Sequence, residues 1–240
     1  MNFKPPLSQL FSAFAPFRGM AADDVADIVS RGRIHSVPKD RPVFEQGLDA
    51  TAFYLLVEGY VRVVKVQPDG EQVVLRYFPA GELIGIAPAM NLKVYPATAI
   101  AAIDCVVMAW PSRLWDEFGA AHPMFLANVL RTVGTRLQAS QERLIEISTK
   151  RAEQRVALAL LHIGETVGRP KDGGFTIDFP ISRQDIAEMT ATTLHTVSRL
   201  LAEWERAELV SLGRQRVAVL ATKELARLTA DPHSDSFGLT

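Results

Sequence analysis

Apolar and polar residues alternate through the first half of the chain. In FEQGLDATAFYLLVEGYVRV at 44–63 the apolar set is Phe53, Leu55, Val57, Val61 and Val63. A period of two marks strands, and Gly47 and Gly59 punctuate the run where turns demand positive φ. PDGE at 68–71 supplies an Asp-Gly hairpin turn. VVLRYFPAGELIG at 73–85 and ATAIAAIDCVVMAWP at 97–111 continue the series. Many short strands at regular spacing predict a jelly-roll-like barrel, occupying residues 1–121.

The period then changes. Leu126, Leu130, Val133, Leu137, Ser140, Leu144 and Ile147 step alternately by four and three, with Ser140 the one polar member. That is a coiled-coil seam, and as a helix it spans about 33 Å. A strict heptad favours a partner helix over the chain's own barrel. Residues 122–148 are therefore a dimerisation helix, with Leu126, Leu130, Val133, Leu137, Leu144 and Ile147 at the interface. STKRAEQR at 148–155 breaks the pattern and reads as a hinge.

A third pattern fills ISRQDIAEMTATTLHTVSRLLAEWER at 181–206. Ser182 and Asp185 have capping-box spacing at a helix start. Ile186, Ala187 and Met189 give that helix its apolar side. Thr190 to Thr193 form a connection, and Thr193 caps a second helix whose Val197, Leu200, Leu201 and Trp204 face a core. The predicted motif is a helix-turn-helix. Such turns usually carry glycine at the position of Ala191, where a left-handed alanine costs on the order of 1 kcal/mol. The polar side of the second helix carries His195, Ser198 and Arg199. Arg199 can donate two hydrogen bonds to guanine O6 and N7, and Ser198 and His195 can reach bases or phosphates. The candidate DNA-binding set is Arg183, Thr193, Leu194, His195, Thr196, Ser198, Arg199 and Arg214, with Arg216 beside it.

Composition narrows the chemistry without choosing a function. The 240 residues carry a net charge of −1, and from residue 149 onward twelve basic residues balance twelve acidic ones. DNA affinity must then come from local placement of arginines. The single cysteine, Cys105, lies in an apolar strand and is expected as a buried small hydrophobe. One cysteine can neither close a disulfide within the chain nor hold an iron–sulfur cluster, which needs about four thiolates. Of the five histidines, His35 and His122 are expected at the surface, and His162 is expected partly buried in a helix. His233 falls in DPHSD at 231–235, read as a disordered tail. None makes a close helical pair for zinc, so no metal site is expected. The start, MNFKPPLSQLFSAF, is neither a signal peptide nor a membrane span. No catalytic set of residues stands out, so an enzyme is not expected.

TVSR at 196–199 resembles the recognition helix of the Crp/Fnr family of bacterial transcription regulators. LVSLGRQRVAVL at 209–220 resembles the family's wing, and GGFTIDFPIS at 173–182 the strand pair before the motif. The front half is similar to the family's cyclic-nucleotide-binding fold. The resemblance implies an α+β chain: a β-roll, a long dimerisation helix and a winged helix-turn-helix over 149–230. It also implies a cytoplasmic homodimer acting as an activator on palindromic double-stranded DNA sites, with RNA polymerase as partner and no membrane. TTLHTVSR is most similar to the NnrR/DNR branch, which responds to nitric oxide and controls denitrification genes.

Where the resemblance fails is informative. Members that bind cyclic AMP hold the ribose with Gly-Glu-Leu and the phosphate with Arg-Ser-Ala. Here Ile86 follows Gly85, and Tyr95, Pro96 and Ala97 replace the clamp. Pro96 has no N–H, and a buried phosphate without a counter-charge is very costly. Cyclic AMP is therefore not expected. Lys93 and Arg76 are the nearest substitute cations, with Arg76 expected to point to solvent. An apolar or planar ligand is expected instead, lined by Ile84, Ile86, Met90, Tyr95 and the helix face near Leu130, with haem a candidate. A cyclic-nucleotide-responsive regulator, or one with another small-molecule effector, is the alternative.

Overall fold

The computed structural model describes residues 11–214 and 216–230. The chain divides into two compact units, Met1–Gln141 and Glu142–Thr240.

In the first unit a 3-10 turn (Ala15–Phe17) precedes helix α1 (Ala22–Ser30). Eight strands follow: β1 (Arg33–Val37), β2 (Pro42–Phe44), β3 (Ala52–Glu58), β4 (Tyr60–Val66), β5 (Gln72–Pro79), β6 (Leu83–Ile84), β7 (Thr98–Ala101) and β8 (Cys105–Pro111). Then come α2 (Trp115–Ala121) and the long helix α3 (Pro123–Thr149), most of which belongs to this unit. The strands form two four-stranded sheets, ordered β1-β8-β3-β6 and β2-β7-β4-β5, and every pairing is antiparallel. Leu56, Cys105 and Val107 from one sheet meet Val61, Ala99 and Ala101 from the other.

Alternation along β3 does not separate core from solvent here. Phe53 and Leu55 face the opposite side from Leu56, and they too are buried. They join Met108 and Trp110 under Val25, Ile28, Phe118, Phe125 and Val129 of the helices. The Trp110 indole donates to Ile28 O at 2.7 Å. The first sheet is thus covered on both faces.

His122, between α2 and α3, is buried rather than superficial. Its Nε2 lies 2.9 Å from Asp27 and its Nδ1 3.3 Å from Asp24, which ties the start of α3 to α1. Asn128 continues the tie, donating to Pro16 O and Arg18 O.

On α3 the apolar heptad splits. Val133 packs against the unit's own core, and Leu126 is half-buried. Leu130, Leu137 and Leu144 are 63%, 60% and 65% exposed. All lie on one stripe of the helix, with Val133 at the edge that meets the barrel and Leu130 and Leu137 at the edge that faces away.

The second unit contains α4 (Ala152–Val167), β9 (Gly168–Lys171), β10 (Gly174–Ile177), α5 (Arg183–Met189), α6 (Leu194–Arg206), β11 (Val210–Gly213), β12 (Arg216–Val219) and α7 (Thr222–Arg227). Its sheet runs β11-β12-β10-β9. The strand pair ahead of the motif spans 168–177 rather than 173–182. Gly173, at φ 75°, makes the turn between the strands, so it stands mid-hairpin. Phe179 and Ile181 beyond it are buried outside the strands. Gly164 on α4 faces Phe175 so closely that a Cβ would overlap the ring. His162 on α4 is exposed rather than partly buried, with Nε2 3.9 Å from Glu146. His233 and the DPHSD tail lie outside the described residues.

Candidate nucleic-acid interface and effector site

The helix-turn-helix is built from local capping. Ser182 Oγ accepts from the Asp185 N–H at 3.0 Å, and the Asp185 carboxylate accepts from the Ser182 N–H at 2.8 Å. Ile186 and Ala187 are buried on α5. The Thr190 hydroxyl donates to Ile186 O at 2.7 Å and closes the helix. Ala191 stands at φ 48°, the left-handed region. Thr193 Oγ1 then accepts from the Thr196 N–H at 3.2 Å and opens α6.

The turn is also gripped by an arginine that periodicity gives no reason to notice. Arg155 donates from Nε to Thr190 O at 2.8 Å and from one terminal nitrogen to Ala191 O at 3.1 Å. Its other terminal nitrogen reaches Lys150 O at 3.0 Å. Arg143 donates to Met189 O. These guanidinium groups satisfy carbonyls at a helix end, where no intrahelical donor remains.

On α6 the residues Val197, Leu200, Leu201 and Trp204 are buried. Leu194, His195 and Arg199 are exposed, and Thr196 and Ser198 half-buried. Thr193 to Arg199 thus lie together on the leading turns. Arg199 is held by Glu203 one turn on, at 2.8 Å. Such an exposed pair is worth only about 0.3–0.5 kcal/mol, so a better acceptor can take Arg199 away. Arg183 is exposed on the first turn of α5. Arg214 and Arg216 are exposed where β11 turns into β12.

The five residues expected to line one effector pocket have different surroundings. Ile84 is in the core between the sheets and Ile86 in the core under the helices. Tyr95 is buried, stacks on Phe44 at 4.3 Å and donates its hydroxyl to Ala52 O at 2.7 Å. Burial pushes that hydroxyl's pKa well up. Met90, at the end of a short 3-10 helix, is 46% exposed, and Leu130 is on the outward stripe of α3. Besides its apolar residues, α3 sends Arg136 to the barrel. It donates to Glu82 at 2.6 Å and to Leu83 O at 2.7 Å, and lies 4.5 Å from the centroid of Phe78. Arg76 does not point to solvent. It is half-buried, 5.9 Å from the same centroid, and its pKa is lowered by burial and then by Arg136. Lys93 is exposed on its loop.

Cys105 is buried, as its apolar strand predicts. Its Sγ donates to Tyr60 O and Ile103 O, and burial pushes the thiol's pKa up. His35 lies in an open cleft of about 530 Å³ with Arg31, Arg33 and Arg113. Among the described residues, no cluster of three or more His, Cys, Asp or Glu is placed to hold a metal ion. Among them, too, no helix is long and apolar enough to cross a membrane.

Residues 34–122 match the model of the cyclic nucleotide-binding domain, and residues 154–228 that of the Crp-like helix-turn-helix domain. The transcriptional regulator LdrP of Thermus thermophilus is 30% identical over 187 residues, 77% of this chain and 91% of that protein. The chain belongs to the Crp/Fnr family of transcription regulators. Another relative is the transcriptional activatory protein AadR of Rhodopseudomonas palustris, 28% identical over 80% of this chain and 79% of that protein. The structure of FixK2 from Bradyrhizobium japonicum shares the fold, with TM-score 0.73 and 22% identity over 83% of this chain and 98% of that one. These Crp/Fnr relatives are regulators rather than enzymes, and regulators of the family bind DNA as dimers.

Proposed function

We propose that this Crp/Fnr chain is a ligand-switched homodimer that reads a palindromic promoter site through α6. In this reading residues 1–121 sense the effector, 122–148 pair the protomers and 149–230 bind DNA. The observation that carries it is the exposed row on α6: Leu194, His195 and Arg199 project from a helix whose other side is fully packed. Leading turns of such a helix meet base edges in the major groove, and a guanine offers Arg199 two acceptors in place of Glu203. The outward Leu130, Leu137 and Leu144 support pairing of two copies along α3. Promoter binding makes RNA polymerase the protein partner and the cytoplasm the compartment.

Selection of binding sites from random DNA tests the reading. A dyad-symmetric consensus is expected. Arg199→Ala should cost roughly 1–3 kcal/mol at the selected site and relax one base pair per half-site, whereas Arg183→Ala or Arg214→Ala should weaken all sequences alike. A consensus without dyad symmetry, or unchanged base preference in Arg199→Ala, would sink it.

The effector must bind one conformation more tightly than the other to act as a switch. Ile86 and Pro96 argue against cyclic AMP, because neither can hold a ribose hydroxyl or a phosphate. Response to nitric oxide through haem is supported by the resemblance at TTLHTVSR. Haem added to the full chain should give a ligated spectrum near stoichiometry, and nitric oxide should then change operator affinity. An unligated spectrum would remove haem.

A further inference from the structure

Among the described residues beyond Thr149, one large apolar side chain is left exposed, Leu194 at 48%. A single exposed leucine needs no explanation on most surfaces. Position gives this one weight. It is the first residue of α6, directly after Thr193, whose side chain caps the helix. At about 100° per residue, Leu194, Ser198, His195 and Arg199 span an arc of about 140°, with Leu194 at one edge and Arg199 at the other. Val197, Leu200, Leu201 and Trp204 are buried on the remaining side. Five residues separate Leu194 from Arg199, about 7.5 Å along the axis, so in a groove the two meet different base pairs.

Ser198, His195 and Arg199 can each hydrogen-bond a base edge, and Leu194 cannot. On entering a groove it gives up its water and gains only from another apolar group. Phosphate oxygens, guanine N7 and O6, cytosine N4 and adenine N6 and N7 all hold water. A leucine pressed on any of them strips that water and returns no hydrogen bond. The major groove displays one apolar group, the 5-methyl of thymine. We propose that Leu194 is a specificity-determining residue that reads a thymine methyl, at a base pair other than the one Arg199 reads. Each half-site then holds a thymine against the first turn of α6. The proposal rests on α6 being the helix that reads DNA.

Operator DNA selected by the full chain tests this without altering the protein. Replacing each thymine in turn by deoxyuridine removes one methyl and keeps every hydrogen bond of the pair. One thymine per half-site should respond. Binding should weaken about fourfold when one half-site is changed and about fifteenfold when both are, the scale of one buried methyl each. Leu194→Ala should bind the thymine and deoxyuridine operators equally, because the shortened side chain no longer reaches the methyl. Leu194→Met, still long and apolar, should keep the preference for thymine. No responsive thymine in the wild-type chain would overturn the proposal. So would a preference as large in Leu194→Ala as in the wild type. Arg199→Ala on the same DNA separates the proposal from the reading beneath it. Relaxed base preference there with no methyl response removes Leu194 alone; unchanged base preference removes α6 as the reader, and Leu194 with it.

Discussion

Replacing Arg155 by Met should loosen the helix-turn-helix without touching its DNA-facing residues. Four carbonyls lose a donor: Thr190 O at 2.8 Å, Ala191 O at 3.1 Å, Lys150 O at 3.0 Å and, more weakly, Ile147 O at 3.5 Å. They are not equivalent. Ala191 is exposed and Lys150 half-exposed, so water replaces the arginine there at little cost. Thr190 is only 2% exposed, so its carbonyl is left with a charge-assisted bond unmade, worth about 1.5–3 kcal/mol. The left-handed Ala191 carries strain on the order of 1 kcal/mol, and its partial release once the grip is gone offsets some of that loss. The expected loss is therefore about 2 kcal/mol, concentrated in the second unit. Arg155→Lys should recover only part of it, because an ammonium cannot span carbonyls that a fork reaches together. Native-state hydrogen exchange reads this directly. Protection should fall at the amides of α5 and the turn, including Thr192, whose N–H bonds Ala187 O at 3.0 Å. Loss below about 0.5 kcal/mol, the size of an ordinary surface change, would refute the argument. Equal loss across β3 and β8 would do the same.

Three further outcomes follow from packing. Leu137→Glu should sediment as a folded monomer with weak operator binding, since Leu137 is 60% exposed within the protomer and a carboxylate there would be buried against a paired copy; a variant that stays dimeric would show that the seam does not pair. Gly164→Ala should lower the stability of the second unit by roughly 1–3 kcal/mol, because the added methyl overlaps the Phe175 ring; an unchanged midpoint would mean that the ring moves freely. The Cys105 thiol, held neutral by burial, should react slowly with iodoacetamide in the folded chain and quickly in urea. Its raised pKa favours folding at neutral pH, and that contribution should fade as pH climbs past the unfolded value and through the folded one. Equal alkylation rates in both states would contradict its burial.

What sequence reveals here tracks distance along the chain. The caps at Ser182 and Thr193 are contacts three residues long, and reading their spacing is nearly reading their geometry. The heptad on α3 announces an apolar face in the same way. Periodicity cannot say what covers a face. Val133 packs inward while Leu130 and Leu137 do not, although all three obey one repeat. Alternation in β3 marks Phe53 and Leu55 as buried but hides that Leu56 is buried too, because helices cover one face of the sheet and the second sheet covers the other. Contacts between remote residues leave no local trace. His122 meets Asp27 across 95 residues, and Arg155 meets Thr190 across 35. Arg76 sits mid-strand like any solvent-facing residue, and only α3 arriving with Arg136 gives it a half-buried, like-charged neighbour. A pocket is hard to read from sequence for the same reason, since it is a property of several segments at once.

The outward leucines of α3 bear on gene dosage. If a protomer contributes one recognition helix and pairs through Leu130, Leu137 and Leu144, the DNA-competent species is second order in the chain. Below the dimer's dissociation constant, halving the protomer concentration lowers the dimer about fourfold. A cell making little of this protein would leave its promoters nearly unoccupied, whatever the effector level, and modest synthesis would bring them into range abruptly. Three leucines on one helix face would thus set a threshold on expression as well as a partner.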